Sequence, residues 1–164
     1  MVINDLSYCN FMKVCLGGTF DILHKGHKKL INRAFRVASK KGFVFVGLSD
    51  GELLKNKKNI KSWYIRKKNL EDYILKEKLS SDFEIVPITD IYGPTLVDNF
   101  DAIVVSTGSE KNAKKINEKR KKLGKKPLKI VTITYVLSED GKPISSTRIR
   151  DNKIDEEGNI LQED

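Results

Sequence analysis

Cysteine and histidine are scarce in this chain, with 2 of each among 164 residues. Cys9 and Cys15 lie close together, and Cys15 sits inside an apolar strand pattern. That pair does not suit a disulfide, and both thiols fit a reducing compartment. His24 and His27 have zinc-ligand spacing, but a zinc site needs three or four ligands and only Cys15 is near. A metal centre of the protein's own is therefore not expected. No apolar run approaches the roughly 20 residues of a membrane span. Residues 1–12 lack the basic stretch and apolar run of a secretory leader, so the expected location is the cytoplasm. The Gly-x4-Gly-Lys loop and the Gly-x-Gly-x-x-Gly fingerprint are also missing, which removes two common nucleotide-binding signatures.

The chain has the length of one domain with a real core, and its 39% hydrophobic content is ordinary for a globular protein. Its net charge of +9 is uneven. Residues 55–68 hold seven basic side chains and no acid, and residues 111–126 hold nine and one. Such clusters can bind nucleic acid, but they better suit a solvated lysine surface or the attraction of a small anionic substrate.

Short apolar runs alternate with helical periodicities. Strands are expected at 14–16, 43–48, 83–88 and 102–106, with a fifth extended stretch at 128–137. Helices are expected at 26–41, 64–79 and 111–123, and a further one is capped by residues 145–147. On the expected helix at 64–79 the core side includes Ile65 and Leu70, with Trp63 and Tyr64 given a helix-face role. The uninterrupted run Phe43 to Leu48 marks a strand buried on both faces. The pattern predicts an α/β protein, a single Rossmann-like, doubly wound, parallel five-stranded sheet. Residues 13–155 form the domain, preceded by an extension at 1–12 and followed by a loose or lightly docked acidic tail at 156–164.

Two constellations carry chemistry. The first is Gly17-Gly18-Thr19-Phe20-Asp21 followed by His24, Gly26 and His27, placed after a strand and at a helix start. Glycine lets backbone approach a phosphate, and the leading helix amides have no internal partner. Two imidazoles three apart on one helix face add donors, and Gly26 leaves room between them for a nucleotide. The second is Ser145-Ser146-Thr147-Arg148-Ile149-Arg150. Ser and Thr cap helices, and hydroxyls beside a guanidinium also suit the far phosphates of a nucleoside triphosphate. One of Lys55, Lys57 and Lys58 is placed to neutralise a reacting phosphate.

Together, Gly17 to Asp21 with His24, Gly26 and His27, and Ile144 to Arg148 near the other end, resemble the signatures of the nucleotidylyltransferase superfamily. Softer patterns at 54–57, 90–94, 104–106, 116–117 and 139–143 look most like archaeal phosphopantetheine adenylyltransferases and the related domain of eukaryotic coenzyme A synthase. The resemblance implies the nucleotidylyltransferase fold and transfer of AMP from ATP to 4′-phosphopantetheine, giving dephospho-coenzyme A and pyrophosphate. It implies that Thr19 orients the attacking phosphate, that His27 binds the α-phosphate and that His24 holds the phosphate chain. Ser145, Ser146, Thr147 and Arg148 would grip the β- and γ-phosphates, Mg²⁺ would bridge phosphate oxygens, and Lys57 or Lys55 would span donor and acceptor. Gly17, Gly18, Phe20 and Gly26 complete the nucleotide contacts.

The acceptor alternatives within the fold are FMN, nicotinamide mononucleotide and glycerol 3-phosphate. Outside the fold's chemistry the alternative is a basic nucleic-acid-binding module. The leading reading has no nucleic-acid or membrane partner, and a monomer is the favoured assembly. Two places depart from the family pattern. Residues 107–111 read Thr-Gly-Ser-Glu-Lys where relatives usually continue Glu-Thr-Tyr, so no contact is carried over to that loop. Residues before Lys13 have no counterpart, and Met12 is a candidate start.

Overall fold

Runs of apolar residues buried on alternate sides build the centre of the sheet. The computed structural model describes residues 11–161, so the expected extension lies, apart from Phe11 and Met12, outside the described residues. Five parallel strands, β1 (Lys13–Gly18), β2 (Phe43–Ser49), β3 (Asp82–Ile88), β4 (Ala102–Ser106) and β5 (Lys129–Ile133), stand in the order β3-β2-β1-β4-β5. Register pairs Val14 with Val44 on one side and with Ala102 on the other. Strand order reverses between β1 and β4.

Val14, Leu16, Val44, Val46, Ala102 and Val104 face α1 (Lys25–Ala38) and α2 (Trp63–Lys76), whose Ile31, Ala34, Phe35, Leu70 and Ile74 share that core. Cys15, Phe45, Ile103 and Val105 point the other way, onto Ala113 and Ile116 of α3 (Glu110–Lys122). Both faces are covered, which is why the central strands read as unbroken apolar runs. Each fully buried Leu, Ile, Val or Phe contributes roughly 1.5–3 kcal/mol. Burial pushes the Cys15 thiol up to about 12, and its Sγ lies 3.6 Å from the Ala102 carbonyl, so this thiol is inert packing.

Several expectations shift at their edges. α1 stops at Ala38 because Ser39 turns left-handed (φ 63°) and Gly42 closes the return. A Cβ on Gly42 would stand 2.0 Å from the Ala38 carbonyl oxygen. The fifth extended stretch is a strand only over Lys129–Ile133, and the chain beyond it turns along the cleft. On α2, Tyr64 and Ile65 are exposed, and the core side is Arg66, Leu70 and Ile74 with Trp63 half-buried.

Two arginines of the basic runs are not surface charges. Arg66 is buried and donates to the carbonyls of Thr19, Ser49 and Lys61. Arg120 is buried and donates to those of Thr95, Asp98 and Lys126. A buried guanidinium is tolerated because its fixed fork finds several carbonyls at once. The acidic segment is docked through residue 161. Ile154 is fully buried, the Gly158 carbonyl accepts the Glu139 amide, and Glu157 pairs with Lys25 and Lys28. Residues 162–164 of the expected tail lie outside the described residues.

Candidate active site

A cleft of about 910 Å³ opens beyond the carboxyl ends of the strands, at the reversal between β1 and β4. Open α/β sheets bind ligands at that point. Gly17, Gly18, Thr19, Phe20, His24, Gly26 and His27 line it from the β1–α1 connection. Lys57 comes from the loop after β2, and Ser145, Ser146 and Thr147 come from the start of α4 (Ser146–Arg150). The two sequence constellations therefore meet.

The β1–α1 connection turns on Phe20, which holds a left-handed backbone (φ 45°) while its side chain is completely buried. Such a backbone costs on the order of 1 kcal/mol in a non-glycine residue, and burial of the ring offsets it. The ring packs against His27 with centroids 5.1 Å apart.

His24 is the N-cap of α1 and not a member of the helix. Its Nδ1 accepts the amides of Gly26 (3.2 Å) and His27 (3.4 Å), while the Glu156 carbonyl accepts that of Lys25. The leading amides expected to be free for an anion are thus occupied, because an imidazole nitrogen here does what a Ser or Asp oxygen does at other helix starts. His24 and His27 do not share a face through helical spacing. They stack, with centroids 3.8 Å apart and planes at 21°. Gly26 makes room for the capping ring itself, since a Cβ there would press to 3.1 Å on His24.

Partners fix both tautomers. Backbone amides can only donate, so His24 carries its proton on Nε2. His27 Nδ1 lies 2.9 Å from the Ile22 carbonyl, which can only accept, so the neutral ring has its proton on Nδ1 and a bare Nε2. Burial, then His27 and Lys28, push His24 down to about 3. Burial takes His27 down to about 4, with Lys57 adding to the fall while the Ile22 carbonyl and Asp21 oppose it.

Ser146 Oγ donates to the same Ile22 carbonyl (3.4 Å), so one backbone oxygen joins the histidine motif to the serine motif. Ser145 caps α4 as expected, accepting the Arg148 amide. Position separates Lys55 from Lys57, while Lys58 also lines the cleft. Lys55 is exposed and pairs with Glu52, whereas the Lys57 ammonium bonds Thr19 Oγ1 inside the cleft. Burial, then Arg150 and Arg66, lower the Lys57 pKa.

Arg148 departs from its expected place. Its guanidinium turns outward onto Ser138 (2.6 Å), Asp140 (2.6 Å) and the Pro143 carbonyl, clamping the 138–143 hairpin to α4. The Ser138 hydroxyl, then Arg148, hold Asp140 down to about 2. The cleft arginine is Arg150, whose Nη1 lies 2.5 Å from the buried carboxylate of Asp21. Two residues apart on a one-turn helix, these arginines point to opposite sides, and only one can face the phosphates. Asp21, Arg66 and Arg150 are the site residues that sequence reasoning passed over. Asp21 and Arg150 stood inside the quoted motifs, and nothing local marked Arg66. Residues 107–109 form a 3₁₀ turn leading into α3, with Ser109 on the cleft wall.

A cleft at the switch point of an α/β sheet, lined by a histidine pair and a hydroxyl-rich helix start, has the donors that suit nucleotide phosphates. Residues 15–152 match the cytidylyltransferase-like family model. A protein of Methanosarcina mazei named phosphopantetheine adenylyltransferase is 44% identical over 92% of this chain and 98% of its own length. One of the same name from Methanothermobacter thermautotrophicus is 43% identical over 91% and 89%. A crystal structure of a protein of unknown function from Archaeoglobus fulgidus superposes with a TM-score of 0.67 at 38% identity, covering 74% of this chain and 89% of that one. The chain belongs to the cytidylyltransferase-like family, and these archaeal relatives carry the name phosphopantetheine adenylyltransferase.

Proposed function

We infer that this chain is a phosphopantetheine adenylyltransferase, transferring AMP from ATP to 4′-phosphopantetheine to give dephospho-coenzyme A and pyrophosphate. The acceptor rests on the names of relatives that match over nearly their whole length. The observation that carries the chemistry is the Lys57–Thr19 contact, lying beside the histidine pair in the same cleft as Ser146 and Arg150.

In this reading a phosphate oxygen of phosphopantetheine attacks the α-phosphorus in line. A new P–O bond forms there, the bond to the bridging oxygen breaks, and pyrophosphate leaves. No residue is a covalent nucleophile, so rate comes from positioning and charge. Thr19 and Lys57 hold the incoming phosphate. His24 offers its Nε2 proton to the phosphate chain, and His27 meets the α-phosphate. Ser146, Thr147 and Arg150 hold the leaving pyrophosphate, with Arg150 taking the part first expected of Arg148. Among the described residues no group of three or more His, Cys, Asp or Glu converges to hold a metal. In this reading Mg²⁺ would enter with ATP as part of the substrate and would offset the charge of its phosphates.

Pyrophosphate release from ATP or CTP is the test, with phosphopantetheine, FMN, nicotinamide mononucleotide and glycerol 3-phosphate as acceptors. Release with ATP and phosphopantetheine alone is expected. Preference for any other acceptor, or for CTP, overturns the reading.

A further inference from the structure

Asp21 is buried to 2% exposure, and its two oxygens are divided between parts of the chain far apart in sequence. Oδ1 accepts the Lys61 amide at 2.8 Å, at the end of the loop that carries Lys57. Oδ2 binds Arg150 Nη1 at 2.5 Å, 129 residues away in sequence. Arg150 Nη2 reaches Thr147 Oγ1 at 3.3 Å, so the guanidinium is held at both terminal nitrogens. Lys57, Arg66 and His27 also feel this carboxylate. One negative charge therefore sits at the centre of the groups that would meet the phosphates.

We propose that Asp21 is a positioning residue that couples the two substrate sides of the cleft, holding Arg150 for the nucleotide with one oxygen and the Lys57 loop for the acceptor with the other. This rests on the adenylyltransferase reading for its substrates, but its two arms can be separated chemically. Charge is needed for Arg150, since a guanidinium paired with a carboxylate is held more strongly and more directionally than one facing an amide. A simple acceptor is enough for the Lys61 amide. Asp21→Asn keeps a carbonyl oxygen for Lys61 and removes the charge that orders Arg150. Asp21→Ala removes both.

The test begins with ATP binding by calorimetry, which needs no acceptor, and continues with steady-state kinetics in both substrates. With Asp21→Asn, the ATP dissociation constant and KM are expected to rise about tenfold or more, while KM for phosphopantetheine stays within about twofold. With Asp21→Ala both KM values rise. Tighter or unchanged ATP binding by Asp21→Asn overturns the proposal, because it makes Asp21 a competitor or a bystander. So does a fall in thermal stability for both variants with unchanged kinetic constants, which is what a merely structural carboxylate would give. If wild-type protein binds ATP but does not use phosphopantetheine, the acceptor reading fails, and ATP binding by Asp21→Asn still decides the Arg150 arm.

Discussion

Binding of ATP should draw a proton onto His27. The ring donates through Nδ1 to the Ile22 carbonyl, so a neutral His27 would present a lone pair to an α-phosphate oxygen. Only the imidazolium can both keep the Ile22 bond and donate from Nε2. With His27 at about 4, protonating it at pH 7 costs roughly 4 kcal/mol in the empty site, about 1.4 kcal/mol for each of three pH units. The groups facing it are the neutral His24, Lys57, Asp21 and the Phe20 ring, and the Lys57 cation opposes the charge until phosphate arrives. Phosphate raises the pKa of His27. ATP affinity should then weaken as pH rises above about 4, by up to about tenfold per unit, until the bound-state pKa is passed. The measurement is calorimetry at pH 7 in two buffers of different ionisation enthalpy, with wild-type protein and His27→Gln. Subtracting the variant removes the protons that ATP itself exchanges. Wild type should take up about one proton more per ATP than His27→Gln. Equal uptake by the two proteins refutes the tautomer argument.

The histidines should also shape stability in the empty protein. Both fold with pKa values below the ordinary 6.5, so their contribution is present above that pH and is lost as pH falls toward 4 and 3. At pH 5 each costs roughly 2 kcal/mol, read as a lower urea midpoint than at pH 7, and a flat profile contradicts the burial. His24→Ala should lose the helix cap, about 1 kcal/mol of stability, whereas His24→Asn should recover most of it while leaving ATP binding weakened. The arginines should separate cleanly. Arg148→Gln costs stability of about 2 kcal/mol with little change in KM for ATP, whereas Arg150→Gln raises that KM about 10- to 100-fold and also costs about 3 kcal/mol, because it leaves the buried Asp21 carboxylate without its partner. The reverse pattern would restore Arg148 to the phosphates. His27→Ala should lower kcat about 100-fold in a protein that melts cooperatively, and unchanged turnover would remove His27 from the α-phosphate.

The sheet was legible because burial on both faces leaves its mark in single runs such as Phe43 to Leu48, and because the chain turns back at Gly42 and Gly124, a few residues past the ends of α1 and α3. Meeting of the two motifs was legible too, since each follows a strand on either side of one reversal. Orientation was not. Whether Arg148 or Arg150 enters the cleft is decided by Asp140 on one side and Asp21 on the other, and neither position can be placed before the chain is folded. His24 reads as a helix residue until one sees that its ring closes back on the amides of Gly26 and His27. Arg66 looks like one more lysine-rich surface charge, because what buries it is three carbonyls, and every residue has a carbonyl.

That last remark applies most sharply to Ile22. The oxygen that receives both His27 and Ser146 belongs to the main chain, so no substitution at position 22 can delete it. The side chain there is free to drift, while the contact is inherited through the shape of the turn. The vulnerable element is therefore one residue pair earlier, at Phe20, whose left-handed backbone aims the chain. A family could change the letter at position 22 many times over and keep this junction, and a sequence comparison would register only variability where the two motifs are in fact joined.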